Sequence, residues 1–384
     1  MSADPTPCAL LVGTDSPVRI WGLSGRQRLD RQLHRAGIAQ IEPIGGAGAL
    51  GNDTVASSVV LLRVDWIFDE PLILALRASP PGTLLYDASG TTPVAAHVKI
   101  GEAARAEATL SRGEPPEAHW QRRTPETLAG RYNTKLRKRE TPYLLPLTLE
   151  MRGAIERRMF AGSYKGVTDL VTKYVWPWPA RHVTRWCALA GITPNQVTAA
   201  SGVLVIVAFL LFWYGYYGPG LVAAWAMTFL DTVDGKLARV TLTSSKLGDV
   251  LDHGIDLIHP PFWWWAWIVG LGAAAHPLAN ADLVLWVVIA GYWLQRLEEG
   301  FFQRQFGMHM HVWRRFDSFF RLITARRNPN LLILTVATLW GRPDTGMVCV
   351  AVWMMACFFV HATQIWQALA ARRRGPIVSW LSAS

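Results

Sequence analysis

The chain has 384 residues, 51% hydrophobic and 17% charged, with a formal net charge of +10, which is room for two or three domains. Its apolar residues are unevenly placed: residues 1–195 read as a soluble protein rich in Arg, Glu and Pro, whereas residues 197–369 hold long runs of Trp, Phe, Val and Leu. Lys and Arg cluster at the borders of those runs, at 135–139, 181–185, 314–327 and 372–374, a pattern that fits cytoplasmic loops and anionic headgroups and argues against nucleic acid as a partner.

Residues 1–7 lack a basic stretch followed by an apolar core of signal-peptide length, so the first domain is not expected to be exported. Cys8, Cys187, Cys349 and Cys357 lie far apart, which indicates neither a disulfide framework nor a zinc site.

From residue 8 to 140, short apolar runs at 9–12, 58–64 and 83–87 alternate with helical patterns at 25–37 and 70–76. This alternation predicts a small α/β domain over residues 1–140. Residues 28–38 (RLDRQLHRAGI) followed by 61–73 (LLRVDWIFDEPLI) resemble the sugar-phosphate nucleotidyltransferases, in which an Asp at the place of Asp65 helps to bind metal. That family carries a Gly-rich phosphate loop earlier in the chain, and here residues 12–19 hold a single Gly. The domain therefore reads as a degenerate relative, with Asp65 an ordinary strand-end carboxylate.

Residues 141–195 read as a juxtamembrane connector, with Tyr174, Trp176, Pro177, Trp178 and Pro179 suited to the headgroup zone. A helical membrane domain follows over 196–371, with spans expected at 197–217, 219–239, 247–272, 281–300, 329–344 and 346–369, and a tail at 372–384. An even number of spans puts both ends on one side, and the basic clusters make that side cytoplasmic. An active site on that side and cytoplasmic termini are the expectation.

Two of these spans carry carboxylates where a membrane helix should not: Asp231, Asp234, Asp252 and Asp256, with Asp249 beside them. Each costs about 2.5–3.5 kcal/mol at a span's centre. Asp231 and Asp234 are three residues apart and Asp252 and Asp256 four apart, so each pair shares a helix face. Four converging carboxylates repel unless cations share them. Oxygen-only ligands favour hard ions, Mg²⁺ with Mn²⁺ tolerated, and two ions would balance the charge. The plainer alternative pairs these acids with Lys236, Arg239 and Lys246.

The string Asp231, Asp234, Gly235, Ala238, Arg239, Gly248, Asp252 and Asp256 resembles the signature of the CDP-alcohol phosphotransferases at all eight fixed positions. The resemblance covers residues 160–370. It implies that Asp231, Asp234 and Asp252 ligate metal, and that Asp256 completes the set and acts as general base on the acceptor hydroxyl. It further implies that Gly235 and Ala238 leave room for the cytidine and phosphates, that Arg239 meets phosphate charge, and that Gly248 permits close approach. Residues 193–198 (TPNQVT) also resemble the family's entry motif; Thr193 and Pro194 are explained as helix cap and first-turn proline, which leaves Asn195 as a donor-site candidate. The implied partners are a CDP-alcohol donor, CDP-diacylglycerol above all, an alcohol or polyol-phosphate acceptor, membrane lipid, and a second copy in a homodimer.

For the acceptor, Arg321, Arg326 and Arg327 with Asn328 and Asn330 place guanidiniums and amides at the cytoplasmic mouth, which suits a phosphorylated or polyhydroxylated molecule. His309 and His311, two apart on an expected helix, face apart and read as interfacial residues rather than ligands. His253 and His259 share a helix with the aspartates and read as packing or hydrogen-bonding groups. A transporter would show the aspartate pattern twice, and a silent membrane anchor would carry the cost of buried acids with nothing to offset it. The expected product is a phospholipid, with a soluble polyol phosphodiester as the alternative.

Overall fold

The computed structural model describes residues 7–42, 56–243 and 246–382; the side chains at 246–253 and 255 are outside the described residues. The chain divides into two compact units: one of Met1–Thr134, Arg139–Ser163 and Val240–Leu242, the other of Lys135–Lys138, Tyr164–Arg239 and Thr243–Ser384. The first is α/β and the second is helical.

In the first unit, β1 (Cys8–Val12), α1 (Gly25–Arg35), β2 (Ile41–Glu42), β3 (Ser58–Arg63) and β4 (Trp66–Phe68) are followed by α2 (Glu70–Ala78), β5 (Thr83–Tyr86) and β6 (Pro93–Lys99). Then come α3 (Ala103–Arg112), β7 (Gln121–Arg123), α4 (Pro125–Ala129), β8 (Leu144–Pro146) and α5 (Arg152–Gly162). The main sheet runs β2-β1-β3-β6-β5-β7; β1 is parallel to β2 and β3, β6 is antiparallel to β3 and β5, and β7 is parallel to β5.

Strands β1 and β3 are apolar and buried on both faces because helices cover both. Side chains alternate along a strand. Ala9, Leu11, Val60 and Leu62 therefore pack with Leu29, Leu33, Leu72 and Leu76, while Leu10, Val12, Val59 and Leu61 pack with Ala106, Leu110 and Trp120 on the other side. Helix α1 starts at a capping box in which Ser24 and Gln27 bond reciprocally. Asp65 follows β3 and is held bidentately by Arg63, at 3.0 and 2.6 Å. The region expected as a connector starts with β8, which pairs antiparallel with β4.

The second unit holds α6 (Pro177–Leu189), α7 (Pro194–Trp213), α8 (Tyr217–Val240), α9 (Lys246–Ala273) and α10 (Ala281–Phe306). After these come α11 (Arg315–Phe320), α12 (Arg327–Leu339) and α13 (Pro343–Arg372). A helix lies at each of the six expected positions. By length and composition, and among the described residues, two of them, α7 and α13, are long and apolar enough to cross a membrane.

The packing uses small residues and aromatic rings. A Cβ on Gly270 of α9 would lie 2.0 Å from the Phe212 carbonyl oxygen, so only glycine admits the approach of α7 to α9. Beside it, the Trp267 ring lies tilted against Phe212 and Tyr217, with centroids 4.9 and 4.3 Å away, and Trp263 Nε1 donates to the Val205 carbonyl at 3.0 Å. Gln295 of α10 donates to the Met354 carbonyl of α13 at 3.2 Å.

One expectation about local structure is corrected. Residues 307–312 are not helical throughout: Gly307, at φ +68, ends α10 in the left-handed conformation, and Met310–Val312 form a single 3₁₀ turn. His311 is buried there.

Candidate metal and acceptor site

Helices α8, α9 and α12 supply the carboxylates and a cation. Arg327, the first residue of α12, donates from Nη2 to Asp231 Oδ2 at 2.6 Å and from Nη1 to Asp256 Oδ1 at 2.5 Å. One guanidinium therefore brings Asp231 of α8 and Asp256 of α9 to a common centre. Asp234, one helical turn beyond Asp231, is 3% exposed. Its Oδ2 accepts from Thr198 Oγ1 at 2.7 Å, and its Oδ1 is buried with no hydrogen-bond partner among the described residues. Gly248 and Asp252 lie outside the described side chains.

These residues fit a hard divalent ion on three observations. A positive group already stands between Asp231 and Asp256, Asp234 offers an unpartnered oxygen, and every described donor is oxygen. Gly235, on the same helix, has room in front of it: among the described residues, a Cβ there would meet only Arg239, at 3.6 Å. Ala238 and Arg239 continue along α8. The Lys236 ammonium lies 3.5 Å from the Tyr164 ring centroid.

At the start of α7, Thr193 caps the helix in a reciprocal box with Gln196, with Pro194 in the first turn. Asn195 is exposed and lies three residues before Thr198, so it shares the helix face that reaches Asp234.

The three arginines expected at the acceptor go to different places. Arg327 is on the aspartates. Arg326 lines a cavity of about 360 Å³ together with Lys135, Arg137, Lys165 and Arg296, and it holds Glu299, the one carboxylate in that wall. Arg321, half-buried, interacts through its charge with Asp169 instead. Burial and the charge of Arg326 lower its pKa while Asp169 raises it, and a guanidinium stays charged at neutral pH. Burial works to raise the pKa of Asp169, but the Arg321 charge and hydrogen bonds from Thr172 and Asn328 carry it below the usual carboxylate range. This cluster fixes the entry into α12 and thereby the positions of Arg326 and Arg327.

Helix α10 joins cavity and aspartates. The Tyr292 hydroxyl donates to the backbone carbonyl of Leu257 at 2.9 Å, next to Asp256, and Arg296, one turn further along, lines the cavity. Lys135, Arg137, Lys165 and Arg296 were not singled out as acceptor residues from sequence. They come from three distant segments, and only the fold makes them neighbours.

Residues 191–372 match the CDP-alcohol phosphatidyltransferase family. Cholinephosphotransferase 1 of Danio rerio is 27% identical over 143 residues, covering 34% of this chain and 36% of that protein. Ethanolaminephosphotransferase 1 of Pongo abelii is 29% identical over 134 residues, covering 28% and 32%. Archaetidylinositol phosphate synthase of Pyrococcus horikoshii is 37% identical over 82 residues, covering 20% and 42%. The chain thus spans less than half the length of these curated relatives. The aspartate helices and the cationic cavity wall from Arg296 to Arg326 fall within the matched region, so the candidate site lies in the part of the chain, residues 191–372, that is similar to the CDP-alcohol phosphatidyltransferase family.

Proposed function

We propose that the protein is an integral membrane transferase of phospholipid biosynthesis, moving a phosphatidyl or other phosphoalcohol group from a CDP-alcohol to an acceptor hydroxyl with release of CMP. The observation that carries this reading is the meeting of Asp231 and Asp256 on Arg327, beside the unpartnered oxygen of Asp234 and the open face of Gly235. CDP-diacylglycerol is the donor that suits a site among membrane helices.

Asp256 is the more open of the two carboxylates, with 43% of its side chain exposed against 16% for Asp231. It acts as general base. The acceptor O–H gives its proton to Asp256, the oxygen bonds to the phosphorus that bears the alcohol, and the bond from that phosphorus to the CMP oxygen breaks. No covalent enzyme intermediate is needed. Gly235 and Ala238 admit the donor against α8, Arg239 and Asn195 border it, and Gly248 allows approach to α9. Two Mg²⁺ ions, with Mn²⁺ tolerated, would be held by Asp231, Asp234, Asp252 and Asp256, and would polarise the phosphorus and neutralise charge on departing CMP.

A phosphorylated polyol is the acceptor class that the cavity supports. Lys135, Arg137, Lys165, Arg296 and Arg326 face one carboxylate, and guanidiniums bind phosphate oxygens in pairs. The Pyrococcus relative is named for an inositol phosphate product, which agrees with this chemistry. The apolar outer faces of the helices, including Val203, Ile206, Leu210, Leu283 and Trp286, support six spans in contact with lipid. The cytoplasmic placement of the site and both termini rests on the basic clusters. Residues 1–140 form the degenerate domain, 141–195 its connector and 372–384 a tail, and the family resemblance supports a homodimer.

The test is CMP release by the full chain in detergent with CDP-diacylglycerol and Mg²⁺, across inositol phosphate, glycerol phosphate, inositol and serine. Turnover with a phosphorylated acceptor, and a raised KM for it in Arg326→Gln, is the expected result. Turnover with only the unphosphorylated alcohols contradicts the cavity assignment. Absence of release with every acceptor, and with CDP-polyol donors in turn, leaves a silent membrane anchor.

A further inference from the structure

We propose that Glu299, His311 and His361 form a second metal site, for a borderline divalent ion of the zinc type, distinct from the aspartate centre. One ligand atom from each of the three lies within 4.8 Å of the others. The His311 Nε2 to Glu299 Oε1 separation is 3.3 Å, which is the spacing of two ligands about 2.0–2.1 Å from a tetrahedral ion.

The rings are built into the fold. His361 is 0% exposed and His311 3%, one on α13 and the other on the 3₁₀ turn after α10, and His311 Nδ1 and both nitrogens of His361 have no hydrogen-bond partner. Buried imidazole nitrogens without partners are costly to a folded protein. An ion ligated by Nε2 of each ring would satisfy the buried His361 Nε2.

The surroundings match a ligand's outer shell. Both cations near Glu299 hold the same oxygen: Arg326 and Arg296 contact Oε2, the latter at 3.5 Å, which leaves Oε1 turned to His311. Glu298 Oε2 lies 3.5 Å from His361 Nδ1. A carboxylate behind a ligating imidazole fixes its tautomer and turns the other nitrogen, here Nε2, to the metal. Glu298 and Glu299 bring two negative charges against Arg296 and Arg326, so the ion adds charge to a neutral set and needs nitrogen ligands to hold it. Two imidazoles supply them, whereas the aspartate centre offers oxygen alone. A bound ion would tie α10 and the turn that follows it to α13 and hold Glu299 toward Arg326.

The experiment measures zinc in the purified full chain after chelation and re-equilibration with Zn²⁺ under excess Mg²⁺, by elemental analysis, and records the Co²⁺ absorption spectrum of the wild type. Zinc should be retained at one ion per chain, kept in Asp256→Asn, and bound about 100-fold more weakly in His311→Gln or His361→Gln, at least the upper end of what losing a supporting partner produces. The Co²⁺ spectrum should show the intense visible bands of a four-coordinate site with nitrogen ligands. Failure to retain zinc, or retention unchanged in the double His variant, overturns the proposal. If the variants do not fold, a weak six-coordinate spectrum in the wild type overturns it.

Discussion

At the scale of single residues, Arg327 is the group that most changes what the aspartates mean. Two carboxylates from different helices share its guanidinium, and its removal leaves them to repel. Arg327→Ala should destabilise the metal-free protein by about 3 kcal/mol or less, because a fully buried pair costs about 3–5 kcal/mol to break and Asp256 is partly open. Added Mg²⁺ should recover that loss, so its upward shift of the thermal midpoint is larger in the variant than in the wild type; equal shifts would contradict the role. Thr198→Val should weaken divalent-ion binding about 10-fold by freeing Asp234, as read by titration calorimetry. That Asp231 and Asp234 share one helix and that Asp256 lies on the next was legible in the sequence, because helical spacing is local. The place of Arg327 was not: it was expected at the acceptor, and only the packing of α12 on α8 and α9 sends it to the carboxylates.

Among the elements, α8 carries most of the proposed metal and donor residues on one face, from Asp231 through Asp234 and Gly235 to Ala238 and Arg239. Among the described residues, an alanine at 235 would touch only the Arg239 side chain, and it would gain up to about 1 kcal/mol of helix propensity. Gly235→Ala should therefore be at least as stable as the wild type while its KM for the CDP-alcohol rises about 10-fold, a change of about 1.4 kcal/mol. An unchanged KM would mean that the space before Gly235 is not the donor's. The cap of α7 at Thr193 and Pro194 was readable because capping depends on four adjacent residues. The turn at 307–312 was not, since Gly307 stops α10 just before His309 and His311, and the burial of His311 depends on α13, far away in the chain.

For the whole molecule, the alternation of strands and helices in the first unit was legible from periodicity, whereas the added strand β8 was hidden in a stretch read as connector. That unit holds a pH-sensitive group. His97 is buried in the sheet, with Nε2 3.0 Å from Ser58 Oγ, and burial lowers its pKa below the ordinary 6.5. The unfolded chain then binds a proton more readily than the folded one, so stability is level above pH 6.5 and falls as pH drops through 6.5 toward the lower folded value. Thermal midpoints measured from pH 8 to pH 5 should show that decline in the wild type, and His97→Gln should flatten it.

The central claim is that the carboxylates of α8 and α9 carry out a metal-dependent displacement with Asp256 as base. Its most direct test is Mg²⁺-dependent CMP release from CDP-diacylglycerol by the wild type and by Asp256→Asn, with thermal midpoints recorded for both. The expected result is acceptor-dependent release by the wild type and a loss of at least about 100-fold in a folded variant, the lower end of what a general base contributes. Equal rates in the two proteins, or release indifferent to Mg²⁺, would contradict it.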